Sequence, residues 1–222
     1  MTTFASRLTL KFLGGASVLL GAASLAQAQI PYPTPGTPNT AVYSFTASAT
    51  GDVVGFFGGS GASFDEQVGL LDDGVMTSGG FGLDDHSSAI GQMFDFGMVH
   101  AGDTLTFVDK INGTNLVYSN PALNAPYDAL GGGILGVNIS TEQHVYSVAA
   151  SANEVYAGSP AGIYLGFEDE AFPGSDYNYH DDTFVFTNVG VRSAPDAGSS
   201  LLLLVIGGAA LLAASRRKPV RC

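Results

Sequence analysis

Residues 102–118 read GDTLTFVDKINGTNLVY, and this stretch decides the fold. Leu105 and Phe107 fall on one side of an extended chain and Thr104, Thr106 and Val108 on the other, the period-two alternation of a strand with one face on a core. Asn112-Gly113 then supplies a hairpin turn, because both residues tolerate positive φ, and Thr114 to Tyr118 returns as the next strand. On the other side, His100-Ala101-Gly102-Asp103 makes an equally tight connection to the apolar stretch Gln92 to Val99.

The same grammar extends in both directions. Further strands are predicted over Ala41 to Ala49, Asp52 to Phe57, Glu66 to Leu71, His144 to Ala149, Glu154 to Ala157, Ile163 to Phe167 and Thr183 to Thr187. Asp72-Asp73 before Gly74 reads as a hairpin turn, and Asp84-Asp85 as a loop. Short strands separated by turn residues, without long helical periodicity or an internal repeat, indicate an all-β antiparallel sandwich of jelly-roll-like form. Asn120 to Ile139, with Pro121, Pro126 and the Gly131–Gly133 triplet, is the longest loop and is expected to be a flexible excursion.

Both ends of the chain carry targeting features. Arg7 and Lys11 precede the apolar stretch Phe12 to Leu25, and Ala26-Gln27-Ala28 has the small-x-small pattern that signal peptidase cleaves, so residues 1–28 read as a signal peptide and the mature chain starts at Gln29. Pro31, Pro33, Pro35 and Pro38 make residues 29–40 an extended proline-rich linker, followed by the exported domain at 41–193. Residues 194–222 hold the motif Ala194-Pro195-Asp196-Ala197-Gly198-Ser199-Ser200, an apolar run from Leu201 to Ala214, and a basic cluster of Arg216, Arg217, Lys218 and Arg221. As a helix the run reaches roughly 21 Å, short of a bilayer core of about 30 Å, and spans one only when its flanks are included. The basic cluster beyond it leaves the C-terminus cytoplasmic and the domain outside the inner membrane.

The Pro195, Asp196, Gly198 and Ser199 core, with the run and cluster after it, resembles the VPDSG variant of the PEP-CTERM sorting signals of bacterial exosortase substrates; Ala194 stands where that family usually has valine. The resemblance implies an exosortase-like processing enzyme as partner and delivery to the cell envelope, cell surface or extracellular matrix. A plain tail anchor would share the apolar run and basic cluster but not the motif.

Of the chain's 20 acidic residues, all but Asp196 lie between Gln29 and Ser193, where Lys110 and Arg192 are the only Lys or Arg, giving this part a formal charge of −17. Such a surface repels nucleic acid and anionic lipid and favours cations or basic partners. The single cysteine, Cys222, leaves the domain without an internal disulfide, so its stability must come from core packing or bound ions.

The acids are clustered. Glu168, Asp169 and Glu170 follow the strand ending at Phe167, and Asp176, Asn178, His180, Asp181 and Asp182 precede the strand starting at Thr183. Carboxylates packed this densely repel unless a cation intervenes, and hard oxygen ligands suit Ca²⁺. Asp169, Asp176 and Asp181 are the preferred ligands, with Glu168 and Asn178 secondary and His180 a lesser candidate that more often salt-bridges. The spacing Asp176, Asn178, His180, Asp182 presents every second side chain to one side, but the glycine and terminal glutamate of an EF-hand are missing.

Gly166-Phe167-Glu168-Asp169, then Ser175 to Asp181 and the strand Phe184-Val185-Phe186, resemble the C-terminal signature of the domain of unknown function 4114 family. Gly102, Asp103, Leu105 and Phe107, the loop Ser119 to Asn124, and His144 fit its upstream segments, so the resemblance covers about residues 91–189. Asn178 stands where the family usually has aspartate, and His180 where it has asparagine. With no activity assigned to that family, the resemblance implies fold and location rather than chemistry.

No G-x-S-x-G elbow, H-E-x-x-H or phosphate-cradling glycine loop opening a helix occurs, and the exported domain has no cysteine nucleophile. The expectation is therefore a non-catalytic exported protein, stabilised by calcium. The alternatives are a carbohydrate-binding module for extracellular polysaccharide, disfavoured by the absence of tryptophan, and a secreted hydrolase using Glu168 with Asp181 or Asp182.

Overall fold

A computed structural model describes residues 29–131 and 143–194. Ala26 and Ala28 of the cleavage site, Pro195, Asp196, Gly198 and Ser199 of the sorting motif, the run Leu201 to Ala214 and the second half of the long loop lie outside the described residues. No helix among the described residues is long and apolar enough to cross a membrane.

The chain forms an all-β sandwich of two antiparallel sheets, as the alternation at 102–118 predicts. Its strands are β1 (Val42–Ala47), β2 (Gly51–Ser60), β3 (Glu66–Asp72), β4 (Val75–Asp84), β5 (Met93–Val99), β6 (Thr104–Ile111), β7 (Asn115–Tyr118), β8 (Val145–Ala150), β9 (Gly162–Phe167), β10 (Asp182–Thr187) and β11 (Val189–Ala194). One sheet runs β11-β1-β6-β3-β4 with β7 also on β6; the other runs β5-β2-β10-β9-β8. The first two strands pair with the last two, β1 with β11 and β2 with β10, so the terminal ribbon is folded over both sheets in the jelly-roll manner.

A single residue makes the corner between the two sheets at the end of the chain's described part. Asn188, at φ 62°, switches the chain from β10 to β11 and so from one sheet to the other. Its Nδ2 donates to the carbonyls of Ala49 (3.0 Å) and Gly51 (3.2 Å), and its Oδ1 accepts from the Ala49 N–H (2.9 Å), pinning this corner to the facing one between β1 and β2.

Between the sheets lies a chain of phenylalanines. Phe45 meets Phe107 edge-on at 5.2 Å, Phe107 lies 4.3 Å from Phe186, and Phe186 touches both Phe96 and Phe184 at 5.7 Å. Buried aromatic pairs of this kind contribute about 0.5–1.5 kcal/mol each beyond the burial of their area.

Four expectations are corrected. β4, the return arm of the Asp73-Gly74 hairpin, is absent from the predicted strands because Gly79, Gly80 and Gly82 depress its strand propensity. Those glycines have a packing reason: a Cβ at Gly79 would stand 2.6 Å from the Asp95 carbonyl, and one at Gly82 2.5 Å from the Phe94 ring, so β5 crosses β4 where side chains are missing. β11 was also not predicted, since Asn188 alone separates it from β10.

Glu154 to Ala157 is a turn rather than a strand; the Glu154 carboxylate accepts from the Ser151 N–H, and Val155 packs with Ala150, Tyr164 and Val185 on the outer face of the second sheet. The long loop begins as helical turns, Pro121–Leu123, α1 (Ala125–Asp128) and Ala129–Gly131, instead of a flexible excursion, because Tyr127 and Asp128 are buried.

Residues 29–40 pack on the domain. Tyr32 is buried against Tyr179 (4.5 Å) and Tyr146 (5.2 Å), while the Asn39 N–H donates to the Tyr179 hydroxyl (2.7 Å) and its Nδ2 to the Val145 carbonyl (2.9 Å).

Candidate metal centre

β9 and β10 are antiparallel neighbours, and the loop between them leaves the sheet at Phe167 and returns where the Asp181 N–H donates to the Phe167 carbonyl (3.2 Å). That closure brings Glu168, Asp169 and Asp181 together: an oxygen from each lies within 4.8 Å of the others, and all three are buried. One oxygen of Glu168 accepts from the N–H of Asn178 (3.0 Å) and of Tyr179 (3.4 Å), whereas its other oxygen has no hydrogen-bond partner. The Asp181 carboxylate accepts from the Asp169 N–H at 3.1 Å.

Asp176 and Asn178 line the same cavity, of ≈ 290 Å³, together with His180 and Gly61 to Phe64. Their side chains are tied to each other, the Asn178 Nδ2 donating to Asp176 at 2.7 Å, and the Asn178 Oδ1 caps the His180 N–H at 2.9 Å. Of the five residues expected to act as ligands, the structure therefore gathers Glu168, Asp169 and Asp181 into one cluster and sets Asp176 and Asn178 on its rim. Alternation through Asp176, Asn178, His180 and Asp182 does not persist. Tyr177 and Tyr179 take positive φ, Tyr179 turns inward, and Asp182 belongs to β10, facing the sandwich interior.

A buried scaffold fixes the backbone under the cluster. His144 Nδ1 lies 2.8 Å from the Glu168 carbonyl and its Nε2 2.9 Å from Asp128, whose carboxylate also accepts from the Phe172 N–H at 3.0 Å. The imidazole stacks on Phe172 with centroids 3.8 Å apart, and the Tyr127 hydroxyl donates to the Asp169 carbonyl. The helical part of the long loop thus serves as the support for Glu168 and Asp169, by way of His144 and Tyr127.

Sequence reasoning missed a second cluster. Glu66, Asp109 and Asp182 are all 0% exposed, with an oxygen of each within 4.8 Å of the other two. Their signal was present as parity: Asp109 shares the inward face of β6 with Leu105, Phe107 and Ile111, Glu66 that of β3 with Val68 and Leu70, and Asp182 that of β10 with Phe184 and Phe186. Asp169 lies beside Glu66 and joins the two clusters.

The electrostatics follow from this crowding. Desolvation, then the charge of Asp181, pushes the Glu168 carboxyl up to about 8 and that of Asp169 up to about 7. Burial also raises Asp181, and it raises Glu66, Asp109 and Asp182 well above the carboxylate range, with each acid's neighbours adding to the effect. Neither basic side chain of the domain relieves it. Lys110 points away over the Phe81 ring at 4.5 Å, and Arg192 is exposed on β11. His180 approaches Asp181 at 3.9 Å from the solvent side.

No family model, curated protein or solved structure matches this chain.

Proposed function

We propose that this protein is a non-catalytic domain exported to the cell surface or extracellular matrix, delivered by an exosortase-type system and stabilised by Ca²⁺ held at the β9–β10 loop. The observation that carries the calcium reading is the convergence of Glu168, Asp169 and Asp181, buried with no lysine or arginine near them. Carboxylates in such a place are retained where a hard divalent cation neutralises them. The cavity bordered by Asp176 and Asn178 leaves room for that cation and its remaining water ligands.

Export rests on the sequence of the two ends, Ala26-Gln27-Ala28 and Pro195 to Arg221. Two structural features weigh against the alternatives. A hydrolase using Glu168 with Asp181 or Asp182 would need its acids open to a sugar, and both Glu168 and Asp182 are 0% exposed. For a carbohydrate-binding module, no tyrosine or phenylalanine among the described residues is fully exposed to stack on a ring.

Two measurements test the proposal. Intact mass of the native protein from the envelope is expected to start at Gln29 and to lack Arg216 to Cys222; retention of those residues would reduce the tail to an anchor. Thermal unfolding at matched ionic strength is expected to give a higher midpoint in millimolar Ca²⁺ than in chelator. Equal midpoints, or a shift that Asp176→Ala with Asp181→Ala leaves undiminished, would remove the loop site.

A further inference from the structure

We propose that Glu66, Asp109 and Asp182 hold a second divalent cation, inside the sandwich, where it ties the two sheets together. The three side chains come from different strands, β3 and β6 of one sheet and β10 of the other. All six of their carboxylate oxygens lack a hydrogen-bond donor, although each residue is fully buried. Buried polar atoms are almost always satisfied, and six orphaned oxygens, with one from each residue within 4.8 Å of the other two, mark a missing positive centre.

Other ways to satisfy them fail on the residues present. A salt bridge needs a basic side chain, and Lys110 and Arg192 both lie elsewhere. Protonation would remove the charge of a carboxyl but supply no donor to its unprotonated oxygen, and one proton cannot serve six orphaned oxygens. The group beside Glu66 is another acid, Asp169, which bonds it only if one of the two carries a proton and which otherwise adds repulsion. A divalent cation resolves all six at once, and an all-oxygen set selects Ca²⁺ or Mg²⁺ over thiophilic metals.

The site has a structural consequence. Glu66, Asp109, Asp182, Glu168, Asp169 and Asp181 carry up to six formal negative charges around Asp169, more than one divalent ion neutralises. The interior ion and the loop ion of the preceding section would then form a two-cation centre, with the interior one serving as the cross-sheet staple that a disulfide supplies in other exported domains. The interior site stands on its own residues and does not require the loop site.

The test uses the purified protein, unfolded in denaturant with chelator to release enclosed ions, then refolded with or without Ca²⁺ and weighed by native mass spectrometry. Two ions per chain are expected, falling to one in Asp109→Asn and, separately, to one in Asp181→Asn. One ion that survives Asp109→Asn but not Asp181→Asn overturns the interior site and leaves the loop reading standing. The reverse pattern keeps the interior site and removes the loop site; no bound ion under either condition removes both.

Stability gives an independent readout. Asp109→Asn keeps the volume and deletes a buried charge, so its melting midpoint is expected above that of the unmodified protein in chelator and below it in Ca²⁺. A variant more stable in both media overturns the interior site. Should Asp109→Asn fail to refold in Ca²⁺ but refold in Mg²⁺ or chelator, Asp182→Asn repeats the comparison from the opposite sheet, and the same crossing of midpoints is required of it.

Discussion

In chelator this protein should become less stable as the pH rises, opposite to a protein whose carboxylates are salt-bridged. In the folded chain Glu168 titrates at about 8 rather than 4.5, and Asp169 at about 7 rather than 3.8. Between the unfolded and folded values the native state holds protons that the unfolded chain has released. The stability this confers is complete below pH 4 and is lost as the pH climbs through 7 to 8. Each tenfold change in proton concentration over that window weighs about 1.4 kcal/mol per group. From pH 5 to pH 8 the two acids together cost on the order of 5 kcal/mol, comparable to the whole stability of many domains. At about 2–4 °C per kcal/mol for a domain of this size, the melting midpoint in chelator should drop by roughly 10–20 °C.

On the calcium proposal, Ca²⁺ should reverse the trend, because only ionised carboxylates bind it and their supply grows with pH. A site filled at a hundredfold above its Kd adds about 2.7 kcal/mol, so the curves with and without Ca²⁺ should diverge as the pH rises. Circular dichroism melts at pH 5, 6, 7 and 8, each in chelator and in millimolar Ca²⁺, make the measurement. A midpoint in chelator that is flat or rises from pH 5 to pH 8 would refute the reasoning, since the clustered acids would then be neither desolvated nor mutually repelling.

Two further predictions concern the frame around the acids. Gly55→Ala places a Cβ 2.7 Å from the Phe96 ring and 2.8 Å from the Phe186 ring, and overpacking there is expected to cost about 1–3 kcal/mol in chemical denaturation; an unchanged midpoint would show that the aromatic chain is loose. His144→Ala leaves the Asp128 carboxylate and the Glu168 carbonyl without their shared partner, which should cost about 2–4 kcal/mol and weaken Ca²⁺ binding in titration calorimetry, with unaltered binding arguing that Glu168 is held by other means.

Much of this protein is legible along the chain. Alternation at Leu105 and Phe107, the Asn112-Gly113 turn and the spacing of short apolar segments are local signals, so they specify an antiparallel sandwich without knowledge of its partners. Clustering of Glu168, Asp169 and Asp181 around one loop is likewise visible, because the three lie within a single β-to-β connection. The regularity that hides β4 is also local: its glycines look like loop until the crossing of β5 gives them a reason.

What the chain could not disclose is convergence. Glu66, Asp109 and Asp182 stand far apart in sequence and become one cluster only when β3 pairs with β6 and the other sheet folds β10 over them. Parity places each of them inward on its own strand, but only the meeting of two sheets brings the three inward acids together. The same holds for His144, which sits on β8's threshold in sequence and under Glu168 in space, joined to it by a loop whose helical turns exist because Tyr127 and Asp128 are buried there. Local propensity is a property of neighbouring residues, whereas the desolvation and repulsion that define this centre arise from residues that tertiary packing alone brings within a few ångströms.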